Sequence, residues 1–124
     1  MQTYQRQQWN FKQETAVDRI VFPRPDQEVE TAPVFADRPV VFSYDVHGFE
    51  TARPEGPPRL CARYTPVMAG TYQWQAFSGS RQVESGSFTC TESADPGFVE
   101  ISRQDRRYFA LSDGSPYVPV GLNM

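Results

Sequence analysis

Little in these 124 residues announces a chemistry. The chain has one histidine, His47, and two cysteines, Cys61 and Cys90, so a zinc site built from His and Cys side chains would be short of ligands. No other cofactor signature is present. Positive charge is not in excess: 12 Lys and Arg stand against 15 Asp and Glu, for a net charge of −3. Phosphate neutralisation needs a concentrated basic footprint, so nucleic acid is not an expected partner. Long apolar runs are missing as well. The longest are a few residues, against the ~20 that a membrane-spanning helix requires, so no membrane partner is expected. The opening stretch, Met1-Gln2-Thr3-Tyr4-Gln5-Arg6-Gln7-Gln8, lacks the apolar centre of a secretory signal. A cytoplasmic location is expected, with secretion the alternative if a signal has been removed ahead of Met1.

What is plentiful points to strands. The chain carries 9 Phe, 6 Tyr and 2 Trp, residues that suit a pleated, half-buried surface. Its 11 Pro and 8 Gly are spread along the sequence and leave little room for long helices. The length suits one ordinary domain, large enough to bury a core without disulfides or metal.

Period-two patterning places the strands. Gln5–Phe11 aligns Trp9 with Phe11, and Thr15–Phe22 sets Ile20 and Phe22 opposite Val17 and Val21. The segment 27–37 is polar, holds Pro33 and resists assignment. Val40, Phe42, Tyr44 and Val46 share one face of a strand, which predicts a buried side, and His47-Gly48 ends it. Arg53-Pro54-Glu55-Gly56-Pro57-Pro58 reads as a loop, because consecutive prolines cannot feed a ladder. Leu60–Thr65, Thr71–Phe77, Ser87–Glu92 and Phe98–Ile101 follow as strands, with Tyr72 and Trp74 pointing inward. Tyr108–Leu111 and Pro116–Gly121 form a hairpin around Asp113-Gly114. The whole predicts an all-β sandwich of about seven strands.

An inter-sheet disulfide between Cys61 and Cys90 is conceivable, but strand parity argues against it. If Tyr64 points inward, Cys61 points outward, whereas Cys90 shares the inward face of Phe88. A bulge would reset that parity.

Catalysis finds no footing in the residues. Glycoside hydrolysis needs two carboxyl groups about 5 Å or 6–10 Å apart across a cleft. Asp26, Glu28, Glu30, Glu55, Glu84, Glu92 and Asp105 are scattered over loops and outward positions. His47 has no Ser, Cys or second His at a telling spacing, and Ser78-Gly79-Ser80 and Asp113-Gly114-Ser115 read as turns.

Two segments carry a family resemblance. Arg63-Tyr64-Thr65-Pro66-Val67-Met68-Ala69-Gly70-Thr71-Tyr72-Gln73-Trp74 resembles the motif R-F-x-P-x-x-x-G-x-W-x-Y. That motif marks the immunoglobulin-like N-terminal domain, of unknown function, that precedes the (β/α)8 catalytic barrel of bacterial glycoside hydrolases of the apiosidase-like or cellulase-like kind. Gly86-Ser87-Phe88-Thr89 is similar to the Gly-x-Phe strand that follows, and Gly97-Phe98-Val99-Glu100-Ile101 to a G-F-V-x-V junction. Tyr108-Phe109, Asp113-Gly114-Ser115-Pro116-Tyr117 and Gly121-Leu122-Asn123 look like the lead-in to the barrel, F-x-x-x-D-G-x-P-[FY] and then G-x-N. The likeness covers roughly residues 60–123. It departs from the family after Gly48-Phe49, where an aromatic-Asp-Gly turn is replaced by the proline-rich loop.

The resemblance implies an immunoglobulin-like sandwich over 1–102 and, over 103–124, the hairpin and first strand of a barrel that continues elsewhere. It implies a non-catalytic accessory role, no cofactor, and catalytic acids on later barrel strands. The expected partner is the barrel of the same polypeptide, met through Tyr108, Phe109, Tyr117, Val118 and Val120. Self-association through the terminal strand is a further expectation. An independent carbohydrate-binding module is the first alternative, with Trp9 and Tyr44 as stacking platforms for a polysaccharide. An immunoglobulin-like protein-interaction domain is the second.

Overall fold

The computed structural model describes residues 1–121, and its strands are β1 (Gln7–Phe11), β2 (Arg19–Pro23), β3 (Val29–Pro33), β4 (Phe35–Asp37), β5 (Val40–Tyr44), β6 (Glu50–Pro54), β7 (Arg59–Tyr64), β8 (Gly70–Ser78), β9 (Arg81–Cys90), β10 (Val99–Ile101), β11 (Phe109–Leu111) and β12 (Pro116–Tyr117). The only helical element among these residues is a single 3-10 turn, Gln13–Thr15. A four-stranded sheet runs β3-β2-β8-β9 and a three-stranded sheet runs β1-β7-β4, all neighbours antiparallel. These seven strands face one another as a sandwich. Two smaller units stand outside it: the ribbon β5-β6 and the sheet β10-β11-β12.

Aromatic side chains join the layers. Phe22 of β2 and Tyr64 of β7 stack across the interior with ring centres 4.0 Å apart and planes 7° from parallel. Trp9 of β1 meets Phe22 edge-on at 5.1 Å, and Tyr72 stacks on its cross-strand partner Phe88 at 4.9 Å. Ile20, Phe22, Ala62, Tyr72 and Ala76 are wholly buried. A fully buried ring of this kind contributes about 2–3 kcal/mol over its exposed state.

Close approaches fix the sheet edges. Gly86 faces Trp74 in the β8–β9 register, and a Cβ there would lie 2.6 to 2.8 Å from the indole. Gly70 opens β8 at φ 140°, and a Cβ on it would meet the Pro25 ring at 2.6 Å. Just upstream, the Tyr72 hydroxyl donates to the Met68 carbonyl at 2.9 Å and tethers that corner.

The expected Thr15–Phe22 strand begins only at Arg19, after the 3-10 turn, and four further differences from the strand pattern of the sequence bear on packing. First, the unassigned segment 27–37 holds β3 and β4, both edge strands. Pro33 closes β3, where a missing N–H leaves no ladder bond unmade. Second, Arg53 and Pro54 end β6 and do not form a loop, Pro54 lying opposite Val40. Third, Cys61 lies on the outer face, as parity requires, but is fully buried. Its register neighbours Asn10 and Phe35 flank it, and its thiol donates to Asn10 Oδ1 at 3.2 Å. Cys90 sits in the core, burial pushes its thiol pKa up, and both cysteines are free. Fourth, the apolar side of β5 is not buried: Phe42 is 62% and Tyr44 75% exposed. Among the described residues its only strand partner is β6, and no second layer covers it.

Among the described residues two buried polar atoms lack a hydrogen-bond partner, Arg24 Nε and the Tyr64 hydroxyl; the nearby Glu30 carboxylate accepts from Arg24 Nη1 at 2.8 Å. Burial, and then the Glu30 charge, push the Tyr64 pKa well above its usual 10.0. Below pH 10 the phenol is protonated whether the chain is folded or unfolded. As pH rises further the unfolded chain ionises first, so stability falls.

Two outcomes follow from this core. Gly86→Val should lower stability by about 1–3 kcal/mol, because a Cβ 2.6 to 2.8 Å from the indole forces that ring off its packing on the core; the urea midpoint measures it. Tyr64→Phe should leave the pH 7 midpoint within about 1 kcal/mol of the parent, since it removes only an unsatisfied hydroxyl. The same variant should flatten the loss of stability between pH 10 and pH 12, read from urea titrations at both ends.

Candidate interaction surface

The small C-terminal sheet presents one apolar side. Val99 pairs with Leu111, Ile101 with Phe109, and Phe109 with Tyr117, so these five side chains share a face. Val99 is 49%, Ile101 56%, Phe109 47% and Tyr117 39% exposed, and Phe98 beside them is also exposed. The reverse side carries Glu100, Ala110 and Pro116, with Ala110 buried. A shallow polar hollow of about 260 Å³ opens there, lined by Glu100, Ser102, Arg103, Gln104 and Asp113 among others.

This sheet is fastened to the sandwich by a short joint. Gly97 adopts φ 95°, and a Cβ on it would fall 2.5 Å from the Ser112 side chain and 3.0 Å from the Tyr4 ring. The Phe98 N–H donates to Ser112 Oγ at 2.9 Å, and the Asp113 N–H to the Pro96 carbonyl at 3.0 Å. Tyr4 meets the Phe98 ring edge-on at 5.2 Å, and its own N–H donates to the Pro66 carbonyl. The N-terminal segment is thereby clamped between the two units. Thr3 is buried beside it, its carbonyl accepting from the Ser93 hydroxyl at 2.9 Å.

Local chemistry shapes the loops of the sheet. Asp113 Oδ1 accepts from the Ser115 N–H at 2.8 Å and from its hydroxyl at 2.6 Å, while Gly114 takes φ 89°. The Asp-Gly turn of the sequence is thus present, and these bonds hold the Asp113 pKa below its ordinary value, the hydroxyl bond first. In the preceding loop Arg107 binds Asp105 through Nε and Nη2, at 3.0 and 2.7 Å, which lowers the Asp105 pKa.

Of the expected docking residues, the structure brings Phe109 and Tyr117 together as a cross-strand pair and leaves Tyr108 exposed next to them. Val118 and Val120 are exposed but lie past the end of β12, so the expected strand stops at Tyr117. Leu122, Asn123 and Met124, the close of the barrel lead-in, fall outside the described residues. The face also contains Val99, Ile101 and Leu111, which sequence reasoning left out. Their alternation was visible in Phe98-Val99-Glu100-Ile101, but that strand was placed in the sandwich; its ladder is with β11, so the boundary expected after residue 102 cuts through one sheet.

The proposed sugar platforms are not brought together. Trp9 is half-buried, its ring in contact with Phe22, Trp74 and Phe88, whereas Tyr44 stands on the ribbon. Nor do the acids assemble a cleft. Asp26 and Glu30 come together only by sharing Arg24, at 2.6 and 2.8 Å. Among the described residues no three His, Cys, Asp or Glu side chains group as a metal site, and no helix is long and apolar enough to cross a membrane.

No family model and no curated protein sequence matches the chain. A solved structure does: a chain from Bacteroides vulgatus named as "a putative glycoside hydrolase", at a TM-score of 0.63 and 20% identity. The match takes in 95% of this chain but 21% of that one, so it establishes a shared fold over about a fifth of the longer protein.

Proposed function

We propose that this chain is the non-catalytic, immunoglobulin-like accessory domain of a glycoside hydrolase, docked on the (β/α)8 catalytic barrel of the same polypeptide. The observation that carries the proposal is the uncovered apolar face of Val99, Ile101, Phe109, Leu111 and Tyr117. Four of these side chains are more than a third exposed, and they lie side by side in one ladder register. The largest apolar patch on a soluble monomer is often a functional one. An exposed area on the order of 300 Å², covered by a neighbour, would be worth roughly 7 kcal/mol before the ordering costs of docking.

Three further features support the reading. The seven-stranded sandwich, with the Tyr72 hydroxyl tied back to a backbone carbonyl four residues upstream, is similar to the tyrosine corner of immunoglobulin-like domains. Asp26 and Glu30, which meet on Arg24, are engaged in ion pairs and not set across a cleft as glycosidic chemistry requires. The likeness to one fifth of a glycoside hydrolase chain leaves room there for a separate catalytic unit. The joint at Gly97 would hold the docking face at a fixed angle to the sandwich. The accessory role is then to brace the barrel.

The test compares the 124-residue chain with the polypeptide that its gene encodes in full. Ile101→Lys with Phe109→Asp should shift the melting temperature of the short chain by no more than a few degrees, because each residue is about half exposed in it and the two new charges are opposite in sign across the ladder. In the full polypeptide the same pair should lower the melting temperature of the catalytic unit by several degrees and raise dye binding to exposed apolar surface. Equal melting curves for parent and variant in the full polypeptide would overturn the proposal, and so would release of sugar from any polysaccharide by the short chain. Gly97→Val should loosen the joint, through the strained φ and the 2.5 Å approach to Ser112. Faster amide exchange at Phe98 and Asp113, with β8 and β9 unaffected, is the expected readout.

A further inference from the structure

The C-terminal sheet and the sandwich share no ladder: β10, β11 and β12 pair only with one another. Among the described residues, no hydrogen bond runs directly from those strands to a strand of the sandwich. The bonds from Asp113 and Ser112 end on Pro96 and Phe98, in the connection 91–98 that leads into the sheet itself. Ala94 and Asp95 of that connection are exposed, and Gly97 takes φ 95°. A short exposed segment of this kind is where a hinge absorbs backbone rotation. Segment 1–4 crosses from one unit to the other. On the sandwich side, the Thr91 N–H donates to the Met1 carbonyl at 3.0 Å, the Thr3 N–H to the Thr91 carbonyl at 2.9 Å and the Tyr4 N–H to the Pro66 carbonyl at 2.8 Å. On the connection, the Ser93 N–H donates to Thr3 Oγ1 at 3.1 Å and the Ser93 hydroxyl to the Thr3 carbonyl at 2.9 Å. On the side of the C-terminal sheet, the Tyr4 ring lies edge-on to Phe98 at 5.2 Å and against Gly97, where a Cβ would fall 3.0 Å from its Cζ.

We infer that segment 1–4 is a strap that locks the angle between the sandwich and the C-terminal sheet, with Tyr4 as its positioning residue and 94–97 as the hinge it holds shut. The lock is a property of this chain alone. Only its use, to present Val99, Ile101 and Phe109 to the catalytic domain in one orientation, rests on the function proposed above. The backbone of Tyr4 carries the argument furthest. It sits in the left-handed region at φ 61°, which a residue of this bulk rarely adopts. Strain of that kind persists where several contacts over-determine it. Here the turn aims the N–H of Tyr4 at Pro66 while its ring reaches Phe98, so one residue touches both units. The two attachments are unequal. Three backbone hydrogen bonds fasten the strap to the sandwich. One ring pair and the close approach at Gly97 fasten the C-terminal sheet to the strap. The second attachment is the weaker, so release begins between Tyr4 and Phe98 and leaves the sandwich folded.

Residual dipolar couplings of the 124-residue chain test the lock, because they average over the microsecond-to-millisecond range of hinge motion. In the parent, the amides of β8 and β9 and those of β10 and β11 should fit one alignment tensor. Tyr4→Asn removes the ring but keeps a residue that tolerates the left-handed turn. In that variant the alignment of the C-terminal sheet should fall about twofold relative to the sandwich. Phe98→Ala removes the partner ring, leaves the strap untouched and should have the same effect. Tyr4→Phe keeps the ring and should retain the single tensor. If Tyr4→Asn also speeds amide exchange in β8 and β9, Phe98→Ala alone decides. A single tensor in both Tyr4→Asn and Phe98→Ala would overturn the lock, and so would two tensors in the parent. Docking is read separately, from the melting comparison in the full polypeptide. A lock present in the short chain, with no docking in the full polypeptide, would sink the docking proposal and keep the strap.

Discussion

The stack of Phe22 on Tyr64 is the contact on which the fold turns. One ring belongs to the four-stranded sheet and the other to the three-stranded sheet, and they meet at 4.0 Å with Trp9 set edge-on against Phe22. A sandwich has no covalent bond between its layers, and here the cysteines supply none, since Cys61 lies outside one sheet and Cys90 inside the other. Inter-sheet cohesion must therefore come from area removed from water. The small residues around the rings, Ala32, Ala62 and Ala76, let the sheets approach closely enough for that stack. The unsatisfied Tyr64 hydroxyl is the cost of using a tyrosine where its ring, not its oxygen, is needed.

That core also explains why the exposed apolar side chains lie at the periphery. Every aromatic of the motif running from Arg63 to Trp74 is spent on the interior or on its corner: Tyr64 in the stack, Tyr72 against Phe88, Trp74 over Gly86. What remains apolar and exposed lies largely on two appendages that the sandwich does not cover. The appendages differ in how they are held. The C-terminal sheet is locked by Gly97, Ser112, Tyr4 and the Asp113–Pro96 bond, so it is an extension of the rigid body. The ribbon is held chiefly by its own ladder and tip, with the Glu55 N–H on the Pro39 carbonyl at its base.

Strand existence was legible wherever alternation ran unbroken, as in Thr71–Phe77, because period two with polar residues outward admits no other element. It was illegible in 27–37, because edge strands tolerate the polar residues and proline that argue against a strand elsewhere. Alternation shows which side chains share a face, and the parity of Cys61 and the grouping of Val40, Phe42 and Tyr44 were read correctly on that basis. It does not show whether another layer exists to cover the face. Cys61 was expected in solvent and is buried by its strand neighbours, while Phe42 and Tyr44 were expected in the core and stand exposed. The same limit hid half of the interaction surface. Val99 and Ile101 carry the pattern of Phe109 and Leu111, yet only three-dimensional pairing joins two stretches separated by a seven-residue loop, 102–108.

Two apolar faces of this small chain stand uncovered among the described residues. Each sits on an element whose local chemistry is complete: satisfied turns, paired ladders, capped tips. A destabilised or misassembled region would show broken pairing beneath its exposed side chains, and these show intact register. Exposed side chains over an intact ladder are therefore a property of the folded chain and not the sign of a local defect. Under the proposed docking, the C-terminal face is the one a neighbour would cover, and covalent continuity would remove most of the loss of free motion that a separate partner pays.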